Sequence, residues 1–384
     1  GWLLLGDNAY SSGLEAEYDQ NFFLNYQENI MKHTVLWPVP GNHDYGNNPV
    51  LQDNKLIPYY SLFTVPTEGE AGGVASKTES YYSYNIGNIH FIALDSYGEE
   101  SVQRLYDTLS KQVGWLKKAL AANQQTWTIA YWHHPPYTKG SHDSDSENEL
   151  VKIREGLLKI LERSRVDLVL CGHSHAYERS RLMKGHYGTS DTYNINNFAL
   201  SSSSGIYDGS TNSCPYIKEG SKIGGGIVYV VAGSSGQLGG SIAGFPHSAM
   251  VYSNRTQGGS LILEVVKNRL DLKWLSSEGT ILDAFTMMKG VGRNNILNLL
   301  YGEPIKLTAS WLGTYMWNNS VSQLQTITAT PKTDTLVIVK DTYECLTDSF
   351  KITVDRITEL ASKEVPYTQL YVYPNPANEM IVVK

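Results

Sequence analysis

Residues able to bind a metal ion or move a proton recur in this sequence where apolar runs stop. The run Trp2 to Leu5 ends in Gly6 and Asp7, with Tyr10 three positions on. "VLWPVP" ends in "GNHD" at 41–44, "TIAYW" in "HHPPY" at 133–137, and "VDLVLC" in "GHSH" at 172–175. Singly, each ending has an ordinary explanation: a Gly-Asp pair is often a turn whose aspartate caps the next helix, and His-His-Pro-Pro is a stiff turn. Four such endings exceed what turn chemistry explains. In an open α/β sheet the loops beyond the strands' carboxyl ends share one crevice. Asp7, Tyr10, Asn42, His43, His133, His134, His173 and His175 are therefore expected to converge. Carboxylate, phenolate, amide oxygen and imidazole without a thiolate form a mixed oxygen and nitrogen ligand set, suited to iron, zinc or manganese. The joint pattern predicts a two-metal site.

The elements that must position these residues are legible as alternating apolar runs and helical patterns from residue 1 to about 290. "TVLWPVP", "YYSYNIG", "IHFIALD", "WTIAYW" and "VDLVLC" have strand character. "YDQNFFLNYQENIMKH", "SVQRLYDTLSKQVGWLKKALAAN" and "ENELVKIREGLLKILERS" carry the spacing of amphipathic helices. The class is α/β, with helices covering a sheet. A stretch rich in Gly, Ser, Asn and Tyr at 186–225 is expected to be a functional or mobile insertion rather than core. A hairpin is expected at Lys267 and Asn268. From about 302 to 356 short alternating segments with frequent turn residues predict a small β-sandwich, with Trp311 and Trp317 as its core aromatics.

The bulk properties narrow the function. With 384 residues, 41% hydrophobic and 18% charged, the chain has room for two or more globular domains. A net charge of -7 excludes a nucleic-acid surface of the usual basic kind, so attraction of an anionic substrate has to be local. No apolar run is long enough to cross a membrane as a helix. Cys171, Cys214 and Cys345 are too few and too scattered for a disulfide framework or a thiolate zinc site, and Cys171 reads as a small buried hydrophobe.

The ordered set "GDNAY", "GNHD", "AYWH" and "GHSH" resembles the purple acid phosphatases among the calcineurin-like metallophosphoesterases, over most of residues 1–290. Tyr10 carries the distinction, since most metallophosphoesterases lack a phenolate three positions after the bridging aspartate. The resemblance implies a four-layer α/β/β/α sandwich over residues 1–292. It implies that Asp7 bridges both ions, that Tyr10 and His175 hold Fe(III), and that Asn42, His133 and His173 hold a divalent Zn, Fe or Mn. His43 and His142 match positions that contact phosphate, while Asp143 replaces a second histidine found in plant members. The implied reaction is phosphomonoester hydrolysis by a metal-bound hydroxide. The alternatives are a phosphodiesterase or nucleotidase of the same fold, or a non-catalytic surface binding protein. The family's first motif, an aspartate two residues before a glycine on a strand upstream of "GD", has no counterpart here. The chain is therefore expected to be a fragment that binds the divalent ion better than iron, turns over slowly, and has an unpaired sheet edge.

Residues 302–356 resemble the immunoglobulin-like modules of bacterial surface proteins, and "YPNPANEMIVVK" resembles the start of a type IX secretion sorting tail, at 366–384. These imply a secreted or cell-surface bacterial protein whose substrate is a phosphorylated small molecule or organic phosphate.

Overall fold

The computed structural model describes residues 1–219 and 224–355. The proposed sorting tail at 366–384 lies outside the described residues. Two short parallel strands open the chain, β1 (Trp2–Leu5) and β2 (Leu36–Val39). The central sheet is built from β3 (Tyr82–Ile86), β4 (Ile89–Ala93), β5 (Trp127–Trp132), β6 (Leu168–Cys171) and β7 (Tyr177–Ser180). After β8 (Tyr216–Lys218), which lies elsewhere, β9 (Val228–Ala232) and β10 (Met250–Asn254) complete it. Its order is β10-β7-β9-β6-β5-β4-β3, and β4, β5, β6 and β9 run parallel. Every residue of β4, β5, β6 and β9 is buried, as expected of strands covered on both faces.

One face of this sheet is covered by the helices Lys111–Ala122, Asn148–Gly156 and Leu158–Glu162, through Leu116, Ile153 and Leu161 against Ile92, Ala130 and Val169. The other face meets β11 (Gly259–Val266), β12 (Arg269–Ser276) and β13 (Ile281–Lys289), which with β8 form a sheet of order β11-β12-β13-β8. Leu270, Leu272, Trp274, Phe285 and Met287 pack there against Phe91, Ile129, Tyr131 and Leu170. Strands β1 and β2 lie over the same face through Leu3, Leu5 and Val39. Their outer side is capped by short helical segments whose Tyr18, Phe22, Tyr59 and Phe63 surround Leu4. The expected four layers are thus present in part: the second sheet comes in two pieces.

Between those pieces β1 pairs only with β2, and β11 only with β12, among the described residues. A cavity of about 620 Å³ separates the two open edges, lined by Leu3, Leu5, Leu261 and Leu263, and it opens onto Asp7 and His175.

The hairpin is where the sequence places it: Val266 faces Arg269, and Lys267 takes the left-handed conformation (φ 53°) the tight turn requires. The C-terminal unit is all β but starts earlier than 302, with β14 (Asn294–Leu300). It continues through β15 (Ile305–Thr308), β16 (Tyr315–Trp317), β17 (Ser320–Ser322), β18 (Thr326–Ala329), β19 (Thr335–Lys340) and β20 (Thr347–Asp355). A five-stranded sheet, β14-β20-β19-β16-β17, and the pair β15-β18 enclose Trp311, Trp317, Val339 and Phe350.

Two expectations need correction. Cys214 and Cys345 form a disulfide across 131 residues of sequence, because folding brings together what spacing keeps apart. Of the stretch 186–225, residues 186–219 are no loose insertion: they carry one half of that disulfide, bury His186, Ser203 and Tyr216, and send Tyr207 O–H to Asp341 of the C-terminal unit at 3.0 Å.

Candidate metal centre

The site starts from the sharp turn after β1. Gly6 (φ 86°) and Asp7 (φ 53°) are both left-handed, and a Cβ on Gly6 would come within 2.5 Å of His133 Nδ1. Glycine is required at the first position, and the second stores strain of about 1–3 kcal/mol, a common feature of functional turns. The turn throws the Asp7 carboxylate into the crevice. Oδ1 accepts the His43 backbone N–H at 2.8 Å. Oδ2 accepts the Tyr10 O–H at 3.0 Å and lies 3.0 Å from His133 Nε2. Burial pushes this carboxyl up, but the charge and hydrogen bond of His133 and the His43 N–H outweigh it and hold it well below the usual range.

Each imidazole arrives from a strand end with one nitrogen fixed. His133, at the end of β5, gives Nδ1–H to the Leu5 carbonyl at 2.8 Å, which turns Nε2 inward to the Asp7 carboxylate. His173, left-handed at φ 65°, turns its Nδ1 to within 3.1 Å of that Nε2, while its own Nε2 looks toward Glu147 Oε2 at 3.8 Å. Burial pushes the His173 imidazole down to about 3, so it is neutral at any ordinary pH. His175 Nε2 lies 3.0 Å from the Tyr10 hydroxyl oxygen. Burial, and then Asp7, raise the Tyr10 phenol far above its ordinary value, so without a cation it keeps its proton.

Asp7, Tyr10, His133, His173 and His175 thus form one chain of contacts. His43 joins it through its backbone and by packing its ring 4.4 Å from that of Tyr10. Asn42, its neighbour, gives Nδ2–H to Asn47 at 2.8 Å, while its Oδ1 is buried without a hydrogen-bond partner. His142 stacks on His173 with ring centroids 3.7 Å apart, its Nδ1 held 2.9 Å from Glu147 Oε2. Asp143, beside it, is engaged by Lys139 at 2.6 Å.

Three residues of the site were not assigned a role by sequence reasoning. Glu147 orients both His142 and His173 from the cap of the helix Asn148–Gly156, five positions beyond His142. Hydrogen bonds from those imidazoles more than offset its burial and hold its carboxyl low. Asp44, the last residue of "GNHD", is fully buried. It accepts from the N–H groups of Asn8 (3.1 Å) and Gly41 (2.7 Å) and from the Tyr18 hydroxyl, and so ties the first two motifs together. Burial first, and the Asp7 charge second, raise it to about 6. His134 is the third, a buried imidazole against His173.

These residues fit metal ions on their own chemistry. The Asp7 carboxylate and the His173 Nδ1 both approach His133 Nε2 within about 3 Å, so one carboxylate and two imidazoles offer donor atoms that a cation could share. Asn42 Oδ1, buried without a hydrogen-bond partner, is free to accept a cation, and the bond that fixes the outer nitrogen of His133 is of the kind that orients metal-binding histidines.

Residues 2–177 match the family model for the calcineurin-like phosphoesterases. Among curated proteins, the probable purple acid phosphatase 20 of Arabidopsis thaliana is 30% identical over 181 residues, 46% of this chain and 39% of that protein. Purple acid phosphatase 15 of the same plant is 32% identical over 164 residues, 42% of this chain and 28% of that protein. The chain therefore spans about two fifths or less of these relatives. A purple acid phosphatase from yellow lupin seeds superposes with a TM-score of 0.47 at 17% identity, covering 66% of this chain and 40% of that one. Residues 2–177 are thus similar to the calcineurin-like phosphoesterases, and the chain shares about 30% identity with purple acid phosphatases over under half its length.

Proposed function

We propose that this chain is a metal-dependent phosphohydrolase of the purple acid phosphatase kind, acting on phosphomonoesters. The observation that carries the reading is the placement of Asp7 Oδ2, 3.0 Å from the Tyr10 hydroxyl on one side and 3.0 Å from His133 Nε2 on the other. Tyr10, His175 and Asp7 would hold Fe(III). Asp7, Asn42, His133 and His173 would hold Zn, Fe or Mn. When bound, such a pair of ions supplies positive charge for the phosphate oxygens and a nucleophile drawn from water.

The chain's own residues do the rest. Asp7 fixes the spacing of the two positions, and Tyr10 must give up its proton to bind, which favours the trivalent ion. His43, fixed through Nδ1 to the Ser11 carbonyl at 2.7 Å, keeps Nε2 for a phosphoryl oxygen. His142 is held at Nδ1 by Glu147 in the same way. Because Asp143 is taken by Lys139, we assign proton delivery to the leaving group to His142. The Cys214–Cys345 disulfide supports a secreted or surface location, where such bonds persist. We read residues 294–355 as an immunoglobulin-like appendage.

The test is metal analysis and hydrolysis of an aryl phosphate by the purified chain. A bound divalent ion, bound iron, and a visible band lost in Tyr10→Phe are expected. His142→Ala should lower kcat by about 100-fold with metal content unchanged. A chain that binds no metal and releases no phosphate overturns the reading.

A further inference from the structure

His134 stands inside the site with no role in the two ligand sets above. Its ring centroid is 4.2 Å from that of His173 and 4.9 Å from that of His133, and all three side chains are at most 8% exposed. One nitrogen from each of the three lies within 4.8 Å of the others. Atoms bound to one zinc at about 2.1 Å are about 3 to 4.2 Å apart, so only a small inward shift of the rings would bring the three to a shared ion.

The ring's other nitrogen is fixed by β4's end. Ser96 Oγ receives the His134 backbone N–H at 3.0 Å and lies 2.9 Å from its Nδ1. In the tautomer that gives Nδ1–H to Ser96 Oγ, Nε2 keeps its lone pair, and the ring makes no other hydrogen bond among the described residues. Ser96 is itself fully buried. Its turn is set by Asp95, which accepts the N–H groups of Tyr97 and Gly98, each at 2.9 Å. Serine here does for His134 what the Leu5 carbonyl does for His133.

We propose that His134 is a ligand of the divalent ion, making that position a three-imidazole site with His133 and His173 beside Asp7 and Asn42. The proposal rests on the two-metal reading and deepens it. Each added imidazole shifts preference toward zinc and away from manganese, which favours oxygen donors. The divalent position should therefore prefer zinc to manganese.

The experiment titrates the metal-free 384-residue chain with zinc chloride and manganese chloride, and records the visible spectrum with cobalt(II) as a probe of ligand number. The wild-type chain should prefer zinc to manganese. His134→Gln should lose at least about tenfold in zinc affinity, lose less for manganese, and change the cobalt spectrum. Ser96→Ala, which keeps the imidazole but frees it, should lose zinc affinity by a smaller factor. His134→Gln that folds, binds zinc within twofold of wild type and keeps the cobalt spectrum overturns the assignment while leaving the two-metal reading intact. Should His134→Gln fail to fold, Ser96→Ala decides: undiminished zinc affinity overturns it. A wild-type chain that binds neither ion overturns both.

Discussion

Gly41 lacks a side chain because Asp7 fills the space one would need: a Cβ there would stand 2.3 Å from Asp7 Oδ1. Gly41→Ala should push the carboxylate out of the crevice and lower divalent-metal affinity at least about tenfold with the circular dichroism spectrum unchanged, as calorimetric titration would show. Glu178 makes a second prediction, on pH. It is fully buried, accepts the Thr138 hydroxyl and the Lys139 N–H (3.2 Å), and burial raises it to about 7. The folded chain then holds a proton that the unfolded chain releases near the usual value. Stability is greatest below the unfolded value and falls as pH rises toward 7, by on the order of 3 kcal/mol. Thermal unfolding from pH 4 to 8 should show this slope in the wild type and lose it in Glu178→Gln. The candidate ligands were legible because each sits directly after a strand in a short motif. Asp44 lay in plain sight within "GNHD", but only burial reveals that it joins two loops, and Glu147 reaches the site from a helix cap that spacing does not foretell.

Strand ends and strand edges govern the next scale. The strands of the central sheet could be read directly, since continuous apolar runs are what doubly covered strands require. The helix expected from Ser101 begins only at Lys111, where Ser110 Oγ accepts the Val113 N–H at 3.2 Å. Upstream, Arg104 is drawn to Glu99 (2.8 Å) and Glu149 (2.9 Å), contacts that apolar periodicity cannot encode. The open edges of β1 and β11 are the element with a measurable consequence. Unpaired backbone on an apolar strand such as β11, where Leu261, Leu263 and Val265 alternate with Ile262 and Glu264, is a template for another chain. The 384-residue chain should self-associate with rising concentration, and Leu261→Lys should reduce this by placing a charge at the edge. Sedimentation velocity of both proteins across a concentration series decides, and identical distributions would show that the edges are not the contact.

At the scale of the whole molecule, the C-terminal unit is joined to the first by more than its linker. Asn268 donates to the Ser310 carbonyl at 2.8 Å, Arg269 to that of Leu312 at 2.9 Å, and Met288 of β13 is buried in the second core. Sequence alternation revealed the β character and both core tryptophans, but it set the boundary at 302. It missed β14 because its only strand partner among the described residues is β20, some fifty residues later and parallel, a pairing that no local pattern marks. Deleting residues 302–384 would therefore leave Asn294–Leu300 without a partner, uncover Met288 and free Cys214. Such a chain should lose several degrees of melting temperature and aggregate. Cys345→Ser alone, which removes one constraint and no core, should cost about 2–4 kcal/mol and remain soluble. Neither change touches a residue of the candidate centre, so metal content and phosphate release per folded molecule should stay at the wild-type level in both. Melting curves, metal analysis and aryl phosphate turnover on the three proteins distinguish a structural strut from a working part. Loss of metal or turnover in folded Cys345→Ser would show that the second unit shapes the centre as well as stabilising the chain that carries it.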